Sequence, residues 1–182
     1  MSTIDLMLLG VLMKQPMNAY EIKKVMEYRR IKEWIKISSP SVYKNLVKLY
    51  KSGFLDGQLV REGEMPEKTV YTINEKGKKY FMRLMQKYAE EPGELHIDFS
   101  AFIANLCYVD RETGLKMIED LQNSLAYQRD FIQEEINKKI NSASFYGMST
   151  IELYLQTYTM FCEWAEKFKN QYAEYAENAE KN

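Results

Sequence analysis

Hydroxyl and amine side chains alternate with apolar ones along residues 39–51. Small hydroxyl side chains near the start of a helix can reach base edges in the major groove, and lysine ammoniums along the same face can bind phosphates. A helix that combines the two is therefore typical of DNA recognition. We predict that the groove is faced by Ser39, Ser41, Tyr43 and Lys44, and the phosphates by Lys48 and Lys51.

The same segment also fits an ordinary surface helix whose lysines only keep one face soluble. The distribution of charge favours DNA, because residues 1–90 carry 17 Lys/Arg and 10 Asp/Glu, whereas residues 91–182 carry 8 and 16. The net charge of −1 therefore divides into +7 and −8. Such an asymmetry is expected when one domain meets a polyanion and the other does not.

The chain lacks the residues and motifs that are typical of enzyme active sites. The chain has one histidine, His96, and two cysteines, Cys107 and Cys162, which lie 55 residues apart. It contains no Walker loop and no GxSxG, CxxC or HExxH motif. We therefore predict no catalytic residue, no metal site and no cofactor. The two thiols are expected to be buried in a reducing compartment, and His96 to lie at a linker or an interface.

Local signals predict that residues 39–51, the recognition segment, form a short helix. Ser39 is a good N-cap, Pro40 a good first helical residue, and Gly53 supplies a left-handed stop. At 100° per residue the apolar positions fall on one side, opposite the lysines. The predicted core stripe is Val42, Leu46 and Leu49.

Two helices are predicted before this segment. Ser2 or Thr3 caps the first, which stops at Gln15-Pro16, and Asn18 with Glu21 has the capping-box spacing for the second. The side chains expected to pack are Leu6, Leu9 and Met13 in the first helix and Ile22, Val25 and Met26 in the second.

Two short β segments are predicted after it, over 54–60 and 69–73, and Asn74 then caps another helix. The loop 61–68 joins the strands. Its tip is acidic, so we expect DNA contacts only from its base, at Arg61 and Lys68. The acidic residues are Glu62, Glu64 and Glu67. The predicted order of three helices, strand, loop, strand and helix is that of a winged helix-turn-helix.

The chain is expected to divide at Pro92-Gly93, where a helix cannot easily continue and the charge changes sign. We predict an N-terminal DNA-binding domain over 1–91 and a C-terminal helical dimerisation domain over 94–182. The fold class is thus mainly α with a small β-hairpin wing.

The C-terminal half shows two long apolar stripes at helical spacing. Asp110 can cap the first helix, Ser144–Ser149 with Gly147 is expected to break it, and a final helix follows. An antiparallel pair cannot bury both stripes alone, so we predict a homodimer that reads a pseudo-palindromic operator in double-stranded DNA. The residues predicted to dimerise are Ile118, Leu121, Leu125, Ile132, Tyr154, Tyr158 and Phe161.

The tryptophans suggest a site for a small aromatic ligand, with Trp34 and Trp164 as candidates. Plain packing in the core or the dimer interface is the alternative. No apolar run reaches 18 residues, and the N-terminus has no basic segment or cleavage site typical of secretion. These features predict a cytoplasmic protein with no membrane partner.

The sequence resembles the PadR-like family of transcriptional regulators over most of residues 4–90. Two departures are Asn18-Ala19, where the family usually has His-Gly, and Lys44, where Pro commonly follows the tyrosine, so base contacts are not carried over from relatives. The motifs that carry the resemblance are Leu8-Leu9-Gly10-Val11-Leu12, Pro16-Met17-Asn18-Ala19-Tyr20-Glu21-Ile22, Ser41-Val42-Tyr43-Lys44-Asn45-Leu46-Val47-Lys48-Leu49, Gly53-Phe54-Leu55 and Val70-Tyr71-Thr72-Ile73 with Gly77.

The resemblance implies a homodimeric winged-helix regulator, usually a repressor, with a helical C-terminal dimerisation domain and often a small aromatic effector. A second hypothesis stays open, in which the winged helix binds protein or only assembles, without a specific DNA site. The acidic wing tip and the neutral total charge favour this second hypothesis slightly, whereas the basic N-terminal half favours the first.

Overall fold

The computed structural model describes residues 2–29, 31, 39–61, 67–140 and 143–180, without the side chains of Ser39 and of 178–180. The chain forms two compact units, Met1–Leu95 and His96–Asn182. In the described part, no helix has both the length and the apolarity to cross a membrane.

Within its described residues, the first unit has four helices and three short strands, the first strand lying between the first two helices. Its antiparallel sheet has the order β1-β3-β2, so the hairpin of β2 and β3 extends a short strand that comes before α2. This arrangement confirms the predicted winged-helix fold. The elements are α1 (Thr3–Leu12), β1 (Met17–Asn18), α2 (Ala19–Tyr28), α3 (Ser39–Lys51), β2 (Leu55–Val60), β3 (Lys68–Ile73) and α4 (Glu75–Glu90).

Side-chain caps start most of these helices as predicted. The Ser2 hydroxyl accepts from the Asp5 amide at 3.2 Å, and Asn18 and Glu21 form a complete capping box. Asn74 caps α4 by accepting from the Gly77 amide at 3.0 Å. The helix α3 already includes Ser39, which the sequence places one residue before the helix.

One core occupies the centre of this unit. The predicted stripe of α3 is confirmed, because all three of its side chains are buried. The stripe predicted for α1 is only partly right, since Leu9 is buried but Met13 is 46% exposed. The helix α1 contacts α3, α4 and β3, so apolar residues are buried on more than one of its faces. Its buried apolar residues are Leu8, Leu9, Val11 and Leu12.

The second unit is built on two long helices. They are α6 (Arg111–Lys139) and α7 (Phe145–Glu180), preceded by α5 (Ser100–Ala104) and a 3-10 turn, Leu106–Tyr108. The helices run antiparallel: Gly114 faces Tyr172, and Lys169 pairs with Glu119 at 3.7 Å.

The predicted helix break at Ser144–Ser149 is wrong, because α6 ends at Lys139 and α7 begins at Phe145. The Ser144 hydroxyl accepts from the Gly147 amide at 3.2 Å and thereby starts α7. Gly147 lies in the first turn of the helix, where its missing side chain is tolerated. The expectation of two buried thiols is also wrong, since Cys107 is exposed and Cys162 is only half-buried.

Candidate nucleic-acid interface

The recognition segment presents its outer face to solvent. The buried stripe fixes α3 on the core, which leaves Tyr43, Lys44 and Lys51 exposed and Ser41 half-buried. In the part of the chain that is described, neither Lys44 nor Lys51 has an ion-pair partner. Both ammoniums are therefore available to an external anion.

Aromatic packing holds the last turn of α3 against the wing. The Tyr50 ring meets the Tyr71 ring edge-on, with 6.0 Å between centroids. A Cβ on Gly57 would lie only 2.9 Å from the Tyr50 ring, so the absence of a side chain on β2 lets the helix approach the sheet. The angle between helix and hairpin is thus set by close contacts.

The junction between α3 and α4 is equally close. Gly53 ends α3 with φ +71°, and Lys76 donates to the Ser52 carbonyl at 2.9 Å. Phe54 stacks on Tyr80 at 4.4 Å, and its carbonyl approaches Gly77 so closely that a Cβ there would overlap it. These contacts hold the end of α3 against α4.

Lys48 alone among the predicted lysines of α3 is paired within the described part of the unit. Its Nζ lies 3.1 Å from Oδ2 of Asp5, a side chain that is 1% exposed, and the Tyr80 hydroxyl donates to the same oxygen at 3.3 Å. Burial, and then the neighbouring Asp5 carboxylate, raises the pKa of Tyr80. No local pattern in the sequence points to Asp5, because its partners lie 43 and 75 residues along the chain.

The wing contributes two predicted cations. Arg61 is exposed directly after β2, and Lys68 is half-buried at the start of β3, where it pairs across the hairpin with Val60. The hairpin therefore brings the two residues together at the base of the wing. Glu62 and Glu64 of the acidic tip and the ligand candidate Trp34 lie outside the described residues, whereas Glu67 is described and exposed.

The other ligand candidate, Trp164, lines a pocket of about 480 Å³ in the second unit. Its ring stacks on Phe168 at 5.1 Å and lies 5.6 Å from the Phe99 ring. The walls are apolar apart from one hydroxyl, and none of the lining side chains is charged. They are Ile97, Phe99, Ser100, Ile103, Ala104, Met160, Phe161 and Trp164.

Residues 8–83 match the family described as the transcriptional regulator PadR-like family. Members of this family are transcriptional regulators and not enzymes. No curated protein matches the chain.

Solved structures share the fold over nearly the whole chain. Bacillus subtilis PadR in complex with operator DNA is 18% identical, with a TM-score of 0.79 over 94% of this chain and 98% of that one. The same protein with p-coumaric acid is 17% identical, with a TM-score of 0.78 over 94% and 99%. The Vibrio cholerae virulence activator AphA is 17% identical, with a TM-score of 0.68 over 93% and 97%.

Proposed function

We propose that this chain is a transcriptional regulator of the PadR-like family, because residues 8–83 match that family, and that it acts as a cytoplasmic, homodimeric repressor. Its recognition helix α3 enters the major groove of a pseudo-palindromic operator. The complex of Bacillus subtilis PadR with operator DNA supports this proposal.

The observation that carries the proposal is the exposed outer face of α3 on the basic unit of the chain. Ser41 and Tyr43 sit near the start of the helix, where side chains reach base edges, and Lys44 and Lys51 follow as cations without an ion pair among the described residues. The full set of proposed DNA contacts is Ser39, Ser41, Tyr43, Lys44, Lys51, Arg61 and Lys68, with Lys48 considered separately below.

The salt dependence of binding to the promoter next to the gene tests this function. Six to ten phosphate contacts would lower the affinity by about 10³–10⁵ between roughly 50 and 200 mM salt. The double variant Lys44→Ala/Lys51→Ala should bind more weakly and flatten the slope of log K against log[salt] by about 0.9 for each phosphate that is no longer neutralised.

The matched control is Lys116→Ala, which removes an exposed lysine from α6 in the second unit. It should leave both affinity and slope unchanged. A wild-type chain that binds no promoter fragment, or a double variant that binds as wild type does, would favour the protein-interaction module instead.

The exposed side chains of α7 support the dimer. At 100° per residue, five large side chains fall within about 60° of one another along this helix. An apolar stripe of this length on a soluble protein is typical of an interface. We call it the α7 stripe, and its residues are Tyr146, Leu153, Met160, Trp164 and Tyr175.

The residues that the sequence predicts at the dimer interface lie outside the α7 stripe. Ile118, Leu125 and Ile132 are buried within the single chain, where α6 packs on α7, so they present no surface to a partner. Leu121, Tyr154, Tyr158 and Phe161 are half-buried. We therefore centre the proposed interface on the α7 stripe.

A small aromatic effector is proposed to occupy the Trp164 pocket. The p-coumaric acid complex of Bacillus subtilis PadR supports an aromatic ligand, and the uncharged lining favours a neutral one, because a buried carboxylate without a partner is costly. Met160 and Trp164 belong to both the pocket and the α7 stripe, so an effector there would change the dimer geometry and hence the distance between the two reading helices.

The effector can be tested with Trp34→Phe, which leaves Trp164 as the single tryptophan. The methyl ester of p-coumaric acid should quench its fluorescence and weaken promoter binding at lower concentration than the acid. Ile103→Glu, which places a charge in the pocket, should abolish both responses. Unchanged fluorescence and DNA affinity with both compounds would contradict this site.

The sign of regulation needs a measurement in cells, since AphA shares the fold and is described as an activator. We expect a promoter reporter to rise when the gene is deleted and to fall when it is restored. A reporter that falls on deletion would assign an activator.

A further inference from the structure

A buried carboxylate joins three helices beneath the recognition face. Asp5 of α1 accepts at one oxygen, Oδ2, from Lys48 of α3 and from Tyr80 of α4. Its other oxygen, Oδ1, is buried and has no hydrogen-bond partner among the described residues. The position of this carboxylate therefore depends on its contacts with α3 and α4.

Loss of the ion pair would be more costly for the buried Asp5 carboxylate than for the exposed Lys48 ammonium. A charge withdrawn from water is destabilising unless a cation and hydrogen bonds compensate it. Asp5 is almost fully buried, whereas the Lys48 side chain is 58% exposed. If the ammonium moved to a phosphate, Asp5 would keep only the neutral hydrogen bond from Tyr80. The ammonium is thus engaged before DNA arrives.

We propose that Asp5 is a positioning residue for the recognition helix, and that Lys48 is its internal counterion rather than a phosphate contact. This assignment rests on the proposed DNA-binding function and revises the role that the sequence predicts for Lys48. Lys44 lies one turn earlier on the same helix, exposed, and without an ion pair in the described part of the chain. Lys44 therefore supplies charge to the DNA, whereas Lys48 holds the helix.

The slope of log K against log[salt] separates the two roles. Lys44→Met should flatten this slope by about 0.9 for each phosphate that the lysine neutralises. Lys48→Met should lower the affinity at every salt concentration and leave the slope unchanged, because no counterion is released at this position. Methionine keeps much of the apolar stem in both variants, so the pair is matched. A slope flattened as much by Lys48→Met as by Lys44→Met would overturn the proposal.

A double-mutant cycle on thermal unfolding tests the ion pair without DNA. Lys48→Met leaves the buried carboxylate without its cation and should lower Tm by about 4–8 °C. Asp5→Asn leaves only an exposed lysine without its partner and should lower Tm less. The double variant should lose clearly less than the sum, because removing both partners leaves no unpaired charge. A wild-type chain that binds no DNA would overturn this proposal together with the proposed function. A chain that binds DNA but gives additive Tm shifts would overturn this proposal alone.

Discussion

At the scale of single residues, the position of α3 depends on a few sites where an added or removed side-chain group would disturb the packing. Gly57 and Gly77 lack side chains where Tyr50 and the Phe54 carbonyl come close. Asp5 places a carboxylate in a core where Asn18 is the other buried polar residue among those described. Each of these residues lies outside α3 and helps to fix the position of this helix or of the turn that follows it.

We predict that Gly77→Ala destabilises the first unit. The added Cβ would overlap the backbone carbonyl of Phe54, which cannot rotate away as a flexible side chain would. The cost should be about 1–3 kcal/mol, as for other overpacked sites, and thermal unfolding would measure it. The control is Gly10→Ala in α1, whose nearest atom would be at an ordinary 3.5 Å. Equal Tm values for the two variants would contradict the close approach at Gly77.

At the scale of elements, side-chain caps decide where the helices begin. Asn18 accepts from the amides of Tyr20 and Glu21 at 3.0 Å, and the Glu21 carboxylate accepts in turn from the Asn18 amide at 2.8 Å. Asn18 is also the last residue of β1, so its cap fixes the point where the strand ends and the helix begins.

Asn18→Ala should therefore cost about 0.5–2 kcal/mol of stability, because it leaves two amides at the start of α2 without their acceptor. Asn18→Ser keeps an acceptor and should recover most of the loss. Chemical denaturation of the three chains gives the comparison. If serine proves as damaging as alanine, the stabilisation comes from the packing of Asn18 and not from its cap.

The cap of α6 predicts a dependence on pH. The hydrogen bonds from Thr113, the first from its amide at 2.9 Å, lower the pKa of Asp110 from its ordinary value. A lowered folded-state pKa stabilises the fold above the unfolded pKa, and this contribution is lost as the pH falls through the folded value. The Tm advantage of wild type over Asp110→Asn should therefore shrink below about pH 4.

Asp120→Asn is the control for this measurement, since it removes an exposed carboxylate from the middle of the same helix. Its Tm difference from wild type should change less over the same pH range. An advantage over Asp110→Asn that stays constant down to low pH would show that the charge of Asp110 is not what the cap uses.

At the scale of the whole molecule, charge and apolar surface are segregated. The basic half carries the recognition helix, and the acidic half carries the α7 stripe. Only one part of the chain can thus approach phosphates without repulsion. The division explains why a net charge of −1 is compatible with the proposed function.

Leu153→Glu/Met160→Glu should convert the proposed dimer to a monomer, because it places charges in the centre of the α7 stripe. Sedimentation velocity measures the change, and the monomer should bind the promoter far more weakly. Glu166→Lys alters an exposed residue on another face of α7 and should leave the dimer intact. A double variant that still sediments as a dimer would place the interface elsewhere.

Much of the fold follows from local rules in the sequence. Ser2, Asn18, Asn74 and Asp110 are found as caps because an N-cap acts on amides two or three residues away. The buried stripe of α3 is predicted equally well, because the spacing of apolar residues along one helix is enough to define it. The strand β1 escapes prediction because two residues give no alternation to detect, and α1 is misjudged because it is surrounded by other elements.

Residue types and short spacings are enough to predict the winged-helix order, the opposite charges of the two halves and the side of α3 that carries its hydroxyls and lysines. Which lysine of α3 is engaged inside the fold depends instead on how the helices pack. Lys44 and Lys48 look alike in sequence, yet Asp5 meets Lys48 alone among the described lysines. Burial of that carboxylate favours a paired cation, and no local pattern indicates burial 43 residues away.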